Sequence, residues 1–576
     1  MARNPSFRKP ELDFAADVTY SMYNSEIKSC KNCKATFAID ASDFGFYEKI
    51  NVPPPTFCPD CRQKRRIIFR NFKTLYKRTS NKSGKSIIAM YSPKVPYKVY
   101  THEEWWSDEW DAKSYGKNFD FSRPFFKQFN ELLLAVPRFN VMNIQSQNCE
   151  YSNMTLRSKN CYLVFGCVDN EDCAYGHIVW ESKDCLDNLY VHHSELCYEC
   201  VDCLWSYKLF YSQECESCTE SVGLYDCRGC LNCIGCVGLQ QKSYYIFNEN
   251  VGKAGYEKFL KDHPLHDPSA IAMILEKQRE LRKKVPQRHF FGSHNNSASG
   301  NHLYNAKNVH HSFDVKRGED SKYIFTGGKV VDSYDLSFVG GGIESGYEAI
   351  TCGGGQSTRF SHIVYNSTDA WYSDTCYSSR NIFGCSGLRS AEYCILNKQY
   401  SKESFDELRK KIIEHMKKTG EWGEFFPQAL SPFAYNESII SEYFPLTKEE
   451  ALSQGYRWED DIPMTVGQET TSHDKLPARP EDYQPDLDNE ILACVSCRRN
   501  YRFIPMEINF LKRSALFLPR ECFNCRHQRR MNMRNPRMLW DGACNRCDAV
   551  FKTSYPPDKQ KELPIFCEAC YKREMA

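Results

Sequence analysis

Long apolar stretches are missing from this sequence, and their absence excludes a class of proteins. No run approaches the roughly 18 apolar residues that a membrane-spanning helix needs. The opening residues, MARNPSFRKPELDF, also lack the apolar core of a signal peptide. We therefore expect neither a membrane span nor secretion.

An excess of charge of one sign is missing as well. The net charge of the 576 residues is +2, so no global field selects a partner. Charge is segregated along the chain instead: residues 62–78 carry eight Lys or Arg and no acid, whereas residues 149–250 carry fifteen acids and six bases. Aromatic residues reach 14%, which argues against disorder. Binding chemistry is therefore expected on local surfaces of a folded chain.

Cysteine is abundant, with 30 residues. Such a chain is either a secreted disulfide scaffold or a carrier of metal thiolates in a reducing compartment. CxxC pairs without a signal peptide favour the second class, so we expect a cytoplasmic metal-binding protein.

Two segments near opposite ends of the chain are copies of one cysteine module. Each has two CxxC pairs, and the gap between the pairs has the same length in both copies. The likeness continues, because CPDCRQKRRIIFRN at 58–71 aligns without a gap with CFNCRHQRRMNMRN at 522–535. Paired CxxC units hold a tetrahedral ion with four thiolates, so each copy predicts a zinc site. The ligands are Cys30, Cys33, Cys58 and Cys61 in one copy and Cys494, Cys497, Cys522 and Cys525 in the other.

A third quartet follows the second copy, with a shorter gap between its CxxC pairs: Cys544, Cys547, Cys567 and Cys570. We therefore predict three Zn²⁺ per chain. The N-terminal copy has lost the matching fourth quartet, since the aligned positions are Ser80, Ser83, Thr101 and Glu104. Hydroxyls are poor zinc ligands. We predict that this half folds without metal around Trp105, Trp106 and Trp110.

Basic residues follow the second CxxC pair of both copies. We expect helices over 62–77 and 526–537, each starting at the last two zinc ligands, in a treble-clef or zinc-ribbon pattern. A basic helix beside a zinc site is a common nucleic-acid footprint. The predicted nucleic-acid contacts are Arg62, Arg65, Arg66, Arg70, Arg526, Arg529, Arg530 and Arg534. Two alternatives stay open: a solvated face, or docking on a protein or on the chain's own acidic first array.

The middle of the chain is a repeat array. Its period is twelve, as the ladder Cys149, Cys161, Cys173, Cys185 and Cys197 shows. A short fixed period with small residues in register indicates a solenoid. We predict a multidomain, mainly β chain with a duplicated parallel β-helix. A coil of one period and a coil of two such halves both fit the ladder.

A second array lies downstream at a nearly constant offset. Residues 197–199 (CYE) align with 346–348 (GYE), and Asp184–Cys185 aligns with Asp332–Ser333. A ligand or bridging cysteine cannot become Ser or Gly without losing its bond, so the ladder cysteines are predicted to be small buried packing residues. A metal site stays open for one run: Cys227, Cys230, Cys233 and Cys236.

These patterns divide the chain into seven segments. We predict an N-terminal zinc module at 25–115, a connecting helix at 120–140, the first array at 141–250, a helical connector at 251–287, the second array at 288–398, a helix and linker at 400–490, and a C-terminal tandem zinc module at 491–576.

Catalytic signals are weak. Residues 83–86 (SGKS) end like a phosphate loop, but Thr79 stands where its first glycine belongs. Acids at the array corners form no recurring pair, which disfavours a polysaccharide-active β-helix enzyme. We predict a non-enzymatic zinc scaffold that contacts nucleic acid; the alternative is a protein–protein scaffold that uses the solenoid face. The sequence leaves open whether the partner is RNA, DNA or protein, and which oligomeric state forms.

Further segments carry a family resemblance: 422–427 (WGEFFP), 431–437 (SPFAYNE), 443–451 (YFPLTKEEA) and 455–458 (GYRW). With the cysteine modules, they make the chain similar to an uncharacterised family of cysteine-rich zinc-binding proteins predicted in ultra-small bacteria. The resemblance covers most of the chain. It implies a bacterial cytosolic zinc protein and no assigned activity.

Overall fold

The computed structural model describes residues 24–575, and its two ends repeat one arrangement of hairpins and helices. The chain is multidomain and mostly β, with parallel strand pairing in the middle and cysteine-rich modules at the ends. Across the described range, no helix combines the length and the apolar character needed to cross a bilayer.

The N-terminal module is built on two antiparallel hairpins. Glu26 pairs with Ile39 in the first hairpin, and Tyr76 pairs with Ala89 in the second. Its strands are Glu26–Ser29, Thr36–Ile39, Tyr76–Thr79, Ser86–Ala89 and Val99–Tyr100, and its helices are Ala41–Lys49, Pro59–Ile67 and His102–Trp106. The helix Phe125–Ala135 then leads to the first array, where Arg138–Phe139 pairs in parallel with Val99–Tyr100.

The C-terminal module repeats this plan. Its strands are Leu492–Ala493, Asn500–Tyr501, Trp540–Ala543, Val550–Thr553 and Ile565–Phe566, and its helices are Pro505–Arg513, Phe523–Met533, Pro557–Glu562 and Glu568–Met575. The strand Ile565–Phe566 pairs in parallel with Gln287–Arg288, at the entry to the second array. The end of the chain is thereby attached to its middle.

Parallel pairs in the first array follow the period of the cysteine ladder. Phe165 pairs with His177, and His177 with Leu189. The backbone turns left-handed at every third residue, as at Asp184, Asp187 and Tyr190, where φ lies between 51° and 55°. Its strands are Asn143–Ile144, Gln147–Glu150, Thr155–Leu156, Lys159–Tyr162, Leu189–His192, Val201–Leu204, Tyr207–Phe210, Thr219–Val222, Tyr245–Ile246 and Glu249–Asn250.

Small side chains fill the inside of the first array. Its buried core consists of cysteines with a few Val and Leu residues. Each inward group reaches backbone carbonyls of its own and the next repeat: Cys173 Sγ lies 3.3 Å from the Glu171 oxygen and 3.5 Å from the Ser182 oxygen. The cysteines therefore fill the interior of the array and donate hydrogen bonds to carbonyl oxygens. This agrees with the prediction drawn from the serines that stand at aligned positions of the second array.

The second array is a 13-stranded, mostly parallel sheet. Its pairing follows the same period, as for Ile382 and Cys394, but one inserted residue near Gly342 brings Tyr334 opposite Tyr347. Its strands are Gly292–Ser293, Asn296–Tyr304, Ala306–Val331, Tyr334–Val339, Ile343–Glu344, Tyr347–Ile350, Gly355–Gln356, Arg359–Tyr365, Thr368–Trp371, Asp374–Tyr377, Arg380–Phe383, Glu392–Ile395 and Lys398–Gln399.

Helices follow both arrays. Gly252–Asp262 and Pro268–Arg282 follow the first array, and Lys402–Thr419, Ile440–Tyr443 and Lys448–Ser453 follow the second. The connector is two helices because Pro268 starts a new one after the cap residue Asp267. Short 3₁₀ turns are found within residues 460–490.

The predicted length of the two basic helices is wrong. The first helix ends at Ile67 rather than near residue 77, and the second ends at Met533 rather than near residue 537. Asn71 terminates the first segment, because its side chain donates to the carbonyl oxygens of Thr74 and Met90 in a turn. Arg70 and Lys73 therefore lie beyond the helix, although their spacing in the sequence is helical.

Candidate metal centres and the buried arginine helices

Three cysteine quartets converge as the sequence predicts. In each quartet the four sulfurs lie within 4.8 Å of one another. The sulfur–sulfur distances are 3.7 Å for Cys33 and Cys58, 3.7 Å for Cys497 and Cys522, and 3.8 Å for the pair formed by residues 547 and 567. Thiolates at about 2.3 Å from a tetrahedral zinc ion lie about 3.8 Å apart. The donor sets therefore fit zinc in type and in spacing.

The local backbone favours the thiolate at the first cysteine of each quartet, whose pKa is lowered. The backbone N–H of Cys522 donates to Cys494 Sγ at 3.2 Å, and the N–H of Cys567 donates to Cys544 Sγ at 3.3 Å. Burial opposes ionisation, but hydrogen bonds from these and neighbouring N–H groups lower the pKa of Cys494 to about 7 and that of Cys544 to about 6. Thiolates are the form that binds a metal ion.

The fourth position has kept the shape of a metal site without its ligands. Gly84 N–H donates to the Ser80 oxygen at 3.0 Å, as Asp548 N–H donates to the Cys544 oxygen. Ser80 Oγ then donates to Glu104 Oε2 at 2.5 Å. Burial raises the pKa of Glu104, but hydrogen bonds from the side chains of Ser80 and Ser83 outweigh this and lower it. A hydrogen-bonded carboxylate thus stands at the position of the last ligand.

The C-terminal arginine helix (Phe523–Met533) is docked on the first array. Arg526 Nη1 lies 2.7 Å from Asp187 Oδ2 and 2.7 Å from Glu507 Oε1. Arg530 places Nη2 at 2.8 Å from Asp187 Oδ1 and Nη1 at 2.8 Å from Glu199 Oε1. Arg526 is 2% exposed and Arg530 is fully buried.

The N-terminal arginine helix (Pro59–Ile67) makes the same contacts with the second array. Arg62 Nε lies 2.9 Å from Asp335 Oδ2. Arg66 Nη1 lies 3.1 Å from Asp335 Oδ1 and 2.9 Å from Glu348 Oε2, and Arg65 Nη2 lies 2.9 Å from Glu348 Oε1. The acidic first array was the internal candidate for these arginines. The second array holds them instead, through Asp335 and Glu348, which repeat Asp187 and Glu199 at the aligned positions.

The remaining predicted nucleic-acid contacts differ in exposure. Arg529 Nη2 lies 3.0 Å from Glu199 Oε1, and its side chain is 47% exposed. Arg534 Nε lies 2.9 Å from Asp202 Oδ2, whereas Arg70 donates through Nη1 to Thr351 Oγ1. Seven of the eight arginine side chains are buried or nearly so, and Arg529 faces solvent most.

Sequence reasoning missed the docking carboxylates. In the sequence Glu199 and Glu348 are aligned residues of the repeat, and the matched arginines belong to segments far away in the chain. Contact between these segments joins Arg530 to Glu199 and Arg66 to Glu348. Burial raises the pKa of Glu199, but Arg530 and Arg529 outweigh this and hold it below the usual range. The carboxylate is therefore charged inside the interface.

Two further clusters bring potential metal ligands together. In the first, His527 Nε2 lies 3.1 Å from Glu442 Oε2, and the ring of His177 stacks on His527 at 4.9 Å with planes 22° apart. Imidazole lone pairs lie in the ring plane, so two nearly parallel rings do not aim at one ion.

The second cluster contains Asp202, Glu214 and His302. The guanidinium of Arg534 already lies 2.9 Å from Asp202 and 3.2 Å from His302 Nδ1. Burial lowers the pKa of His302, but Glu214 and Asp202 outweigh this and raise it to about 9. The carboxylates are therefore neutralised by protein cations.

Comparisons with known proteins give no family. No protein-family model matches the chain, and no curated protein matches it. Among solved structures, one described as a "putative acetyltransferase from Desulfovibrio desulfuricans G20" is 10% identical, with a TM-score of 0.10, covering 48% of this chain and 81% of its own. A similarity of that size carries no argument about fold or activity.

Proposed function

We propose that this chain is a non-enzymatic zinc scaffold. Its two zinc modules dock on the two repeat arrays and hold them together, and the arrays provide the binding surface. The observation that carries the proposal is the matched burial of Arg62 and Arg66 at one end and of Arg526 and Arg530 at the other. Each pair is held by aligned carboxylates of one array. Zinc would supply the folding free energy that a small module needs to present such a helix.

For the arrays we propose parallel β-helices whose coil is one period of the cysteine ladder. Three features support this: parallel pairing at that period, left-handed corners at every third residue, and a core of small inward side chains. For the zinc modules we propose treble clefs, since two ligands come from a hairpin turn and two from a helix start. A reducing cytosol suits the thiols, all of which are unbridged.

The partner that the geometry supports best is a protein with a basic surface. A shallow outer face of the first array carries four carboxylates and one lysine: Asp169, Glu171, Glu181, Glu195 and Lys183. Three of the carboxylates lie beside bases of the chain itself: Asp169 beside Arg157, Glu171 beside Lys159 and Lys183, and Glu181 beside His193. Trp205 is 54% exposed and Tyr207 is 42% exposed beside them. Exposed aromatic residues within a charged rim are typical of interface centres. The ion pairs of this rim are exposed and therefore weak, so its carboxylates remain available to the cations of a partner.

Nucleic-acid contact through the arginine helices stays the alternative. Its support is the exposed guanidinium of Arg529 next to the zinc module. Against it stands the cost of withdrawing buried arginines from their carboxylates, which is several kcal/mol for a buried pair.

Filter binding with RNA and DNA over a salt series separates the two functions. We expect no binding by the zinc-loaded chain at low salt, because the arginines are neutralised internally. A nonaarginine peptide should bind instead, and Glu181→Gln with Glu195→Gln should weaken it. A steep loss of nucleic-acid affinity with salt, abolished by Arg529→Gln, would establish nucleic-acid binding and contradict the scaffold proposal.

A further inference from the structure

A cavity lies between the two arrays, and its charged lining residues are arginines, of which Arg157 pairs with Asp169 outside the lining. Its volume is about 550 Å³, within the range of about 300–1,000 Å³ typical of small-molecule sites. The first array contributes Met154, Leu156 and Val168 to one wall, and the second array contributes Tyr365 and Tyr377 to the other. Three arginines line it and no carboxylate does: Arg70, Arg157 and Arg389.

Arg70 is the unusual member of this lining. It is 5% exposed, and it donates through Nη1 to Thr351 Oγ1. Its Nε is buried without a partner, and within residues 24–575 no carboxylate lies at ion-pairing distance from it. Burial lowers its pKa to about 10. The ring centroids of Phe72 and Phe338 lie 4.3 Å and 4.5 Å from its Cζ and stabilise the charge in part. The guanidinium still lacks a buried counter-charge, which an anion would supply.

The aligned arginine of the C-terminal module shows which carboxylate partners Arg70 lacks. Arg534 holds the position of Arg70 in the other module, and it is paired with Asp202 at 2.9 Å and Asp314 at 2.5 Å. The aligned residues around Arg70 are Thr351 in place of Asp202 and Gly166 in place of Asp314. Both replacements line the cavity. A Cβ at Gly166 would meet Phe72 Cε1 at 3.2 Å, so Phe72 fills the place of the Asp314 side chain. The place of the Asp202 carboxylate, beside Thr351, is therefore the one that lacks its acid at the cavity wall.

The wall beside Arg70 suits a flat ring. Tyr365 and Tyr377 stack at 5.8 Å with planes 14° apart, and Trp106 meets Tyr377 edge-on at 4.8 Å. Glycines form the rim: a Cβ at Gly340 would meet only Tyr365 Cε1, at 3.9 Å, so a side chain there would enter open space. Gly353 pairs with Tyr365 on the next rung, about 4.8 Å away.

We propose that this cavity binds a small molecule of nucleotide size, with an oxyanion on Arg70 taking the place of the carboxylate that Thr351 replaces and a planar ring against Tyr365. Guanidinium groups bind phosphate through charge-assisted hydrogen bonds, and aromatic side chains stack on bases. The site is independent of the acidic outer face and of the partner proposed for it.

Isothermal titration calorimetry of the zinc-loaded chain with AMP, adenosine and inorganic phosphate tests the proposal. We expect AMP to bind at one site per chain, phosphate to compete with it, and adenosine to bind at least tenfold more weakly. Equal affinity for AMP and adenosine, or no binding of AMP at millimolar concentration, would overturn the proposal.

Matched variants locate the site. Thr351→Asp restores the carboxylate that Arg534 has, so it should raise the melting temperature and abolish AMP binding. Gly340→Leu should fill the cavity and lower affinity at least tenfold, while zinc content stays the same. Arg70→Gln should abolish binding with little loss of thermal stability, whereas Arg534→Gln should lower stability strongly. If Thr351→Asp binds AMP as well as the native chain does, the oxyanion site is not at Arg70.

Discussion

One residue type, cysteine, performs two different tasks in this chain, and its neighbours decide which. In the quartets, backbone N–H groups converge on the sulfur, as Cys58 N–H does on Cys30 at 3.2 Å. In the arrays the sulfur instead lies against carbonyl oxygens. At Cys30 burial raises the pKa, but hydrogen bonds from the backbone N–H groups outweigh this and lower it, whereas at Cys173 burial raises the pKa well above its ordinary value. The sequence predicted this division because Ser321 aligns with Cys173.

Serine in place of an array cysteine should leave the fold intact. Ser321 Oγ donates to the Glu319 oxygen at 2.7 Å, which is the bond that Cys173 Sγ makes to the Glu171 oxygen. We expect Cys173→Ser to keep soluble yield and three zinc ions per chain, with a stability change within about 1 kcal/mol because the buried hydroxyl finds a partner. Thermal melting and elemental analysis measure both.

The matched control is Cys58→Ser, which should reduce the zinc content to two per chain and unfold the N-terminal module locally, since structural zinc supplies roughly 10 kcal/mol or more. Loss of zinc on Cys173→Ser would show that array thiols bind metal.

At the scale of elements, spacing predicted the hairpin turns and helix starts that carry the ligands, but not where the helices end. CxxC pairs determine a turn, and Pro59 marks a helix start. The predicted N-terminal basic helix is too long because basic residues at helical spacing, Arg70 and Lys73, continue beyond Ile67. What stops the helix is a side-chain-capped turn at Asn71, whose partner Met90 belongs to the following hairpin. A contact between residues that lie so far apart in the chain produces no pattern in the sequence around the helix end.

The metal-free hairpin should accept zinc when its ligands are restored. Ser80 and Thr101 keep the backbone geometry of the turn and of the helix start, and Glu104 lies where the last ligand belongs. We expect a variant with Ser80→Cys, Ser83→Cys, Thr101→Cys and Glu104→Cys to bind four zinc ions per chain instead of three. Elemental analysis after gel filtration measures this.

The control for restored zinc binding is the double variant Ser80→Cys with Ser83→Cys, which has too few ligands and should stay at three zinc ions. A folded quadruple variant that still holds three ions would contradict the assignment of this hairpin as a lost site.

For the whole molecule, the decisive contacts join the ends of the chain to its middle. The two arrays and the two modules are each visible as repeats in the sequence, yet which module docks on which array is not, since both arrays carry the aligned carboxylates. The structure pairs the N-terminal module with the second array and the C-terminal module with the first. Such pairing depends on chain routing through the helical connectors, and no residue pattern encodes it locally.

Acid should destabilise this assembly before the carboxylates titrate. Burial holds the pKa of His177 and His192 well below the ordinary value, and it lowers that of His527 to about 4. Unfolded histidine takes up protons near pH 6.5. The unfolded state therefore binds more protons as pH falls, and stability decreases from about pH 6.5 towards pH 4. Denaturation monitored at pH 7.5, 6 and 5 measures this decrease.

His177→Phe should flatten that dependence, because Phe carries no titrating group; a stability unchanged between pH 7.5 and 5 in the native chain would contradict the burial of neutral imidazoles. His302 acts in the opposite direction. Its pKa is raised to about 9, so its contribution is present below pH 6.5 and is lost as pH rises through about 9.

Two neighbouring arginines that share one carboxylate allow a test of the docking between the C-terminal module and the first array. Arg530 is fully buried and contacts both Asp187 and Glu199, whereas Arg529 contacts Glu199 from a half-exposed position. Arg530→Gln removes one of the two cations from each of the buried carboxylates Asp187 and Glu199 and should cost about 3–5 kcal/mol. Arg529→Gln should cost about 0–1 kcal/mol. Both variants should keep three zinc ions, because neither residue is a ligand.

Arg66→Gln, the aligned change at the other end, should match Arg530→Gln. If Arg530→Gln and Arg529→Gln melt alike, the buried pairs do not hold the modules on the arrays, and the arginines are free for an external anion.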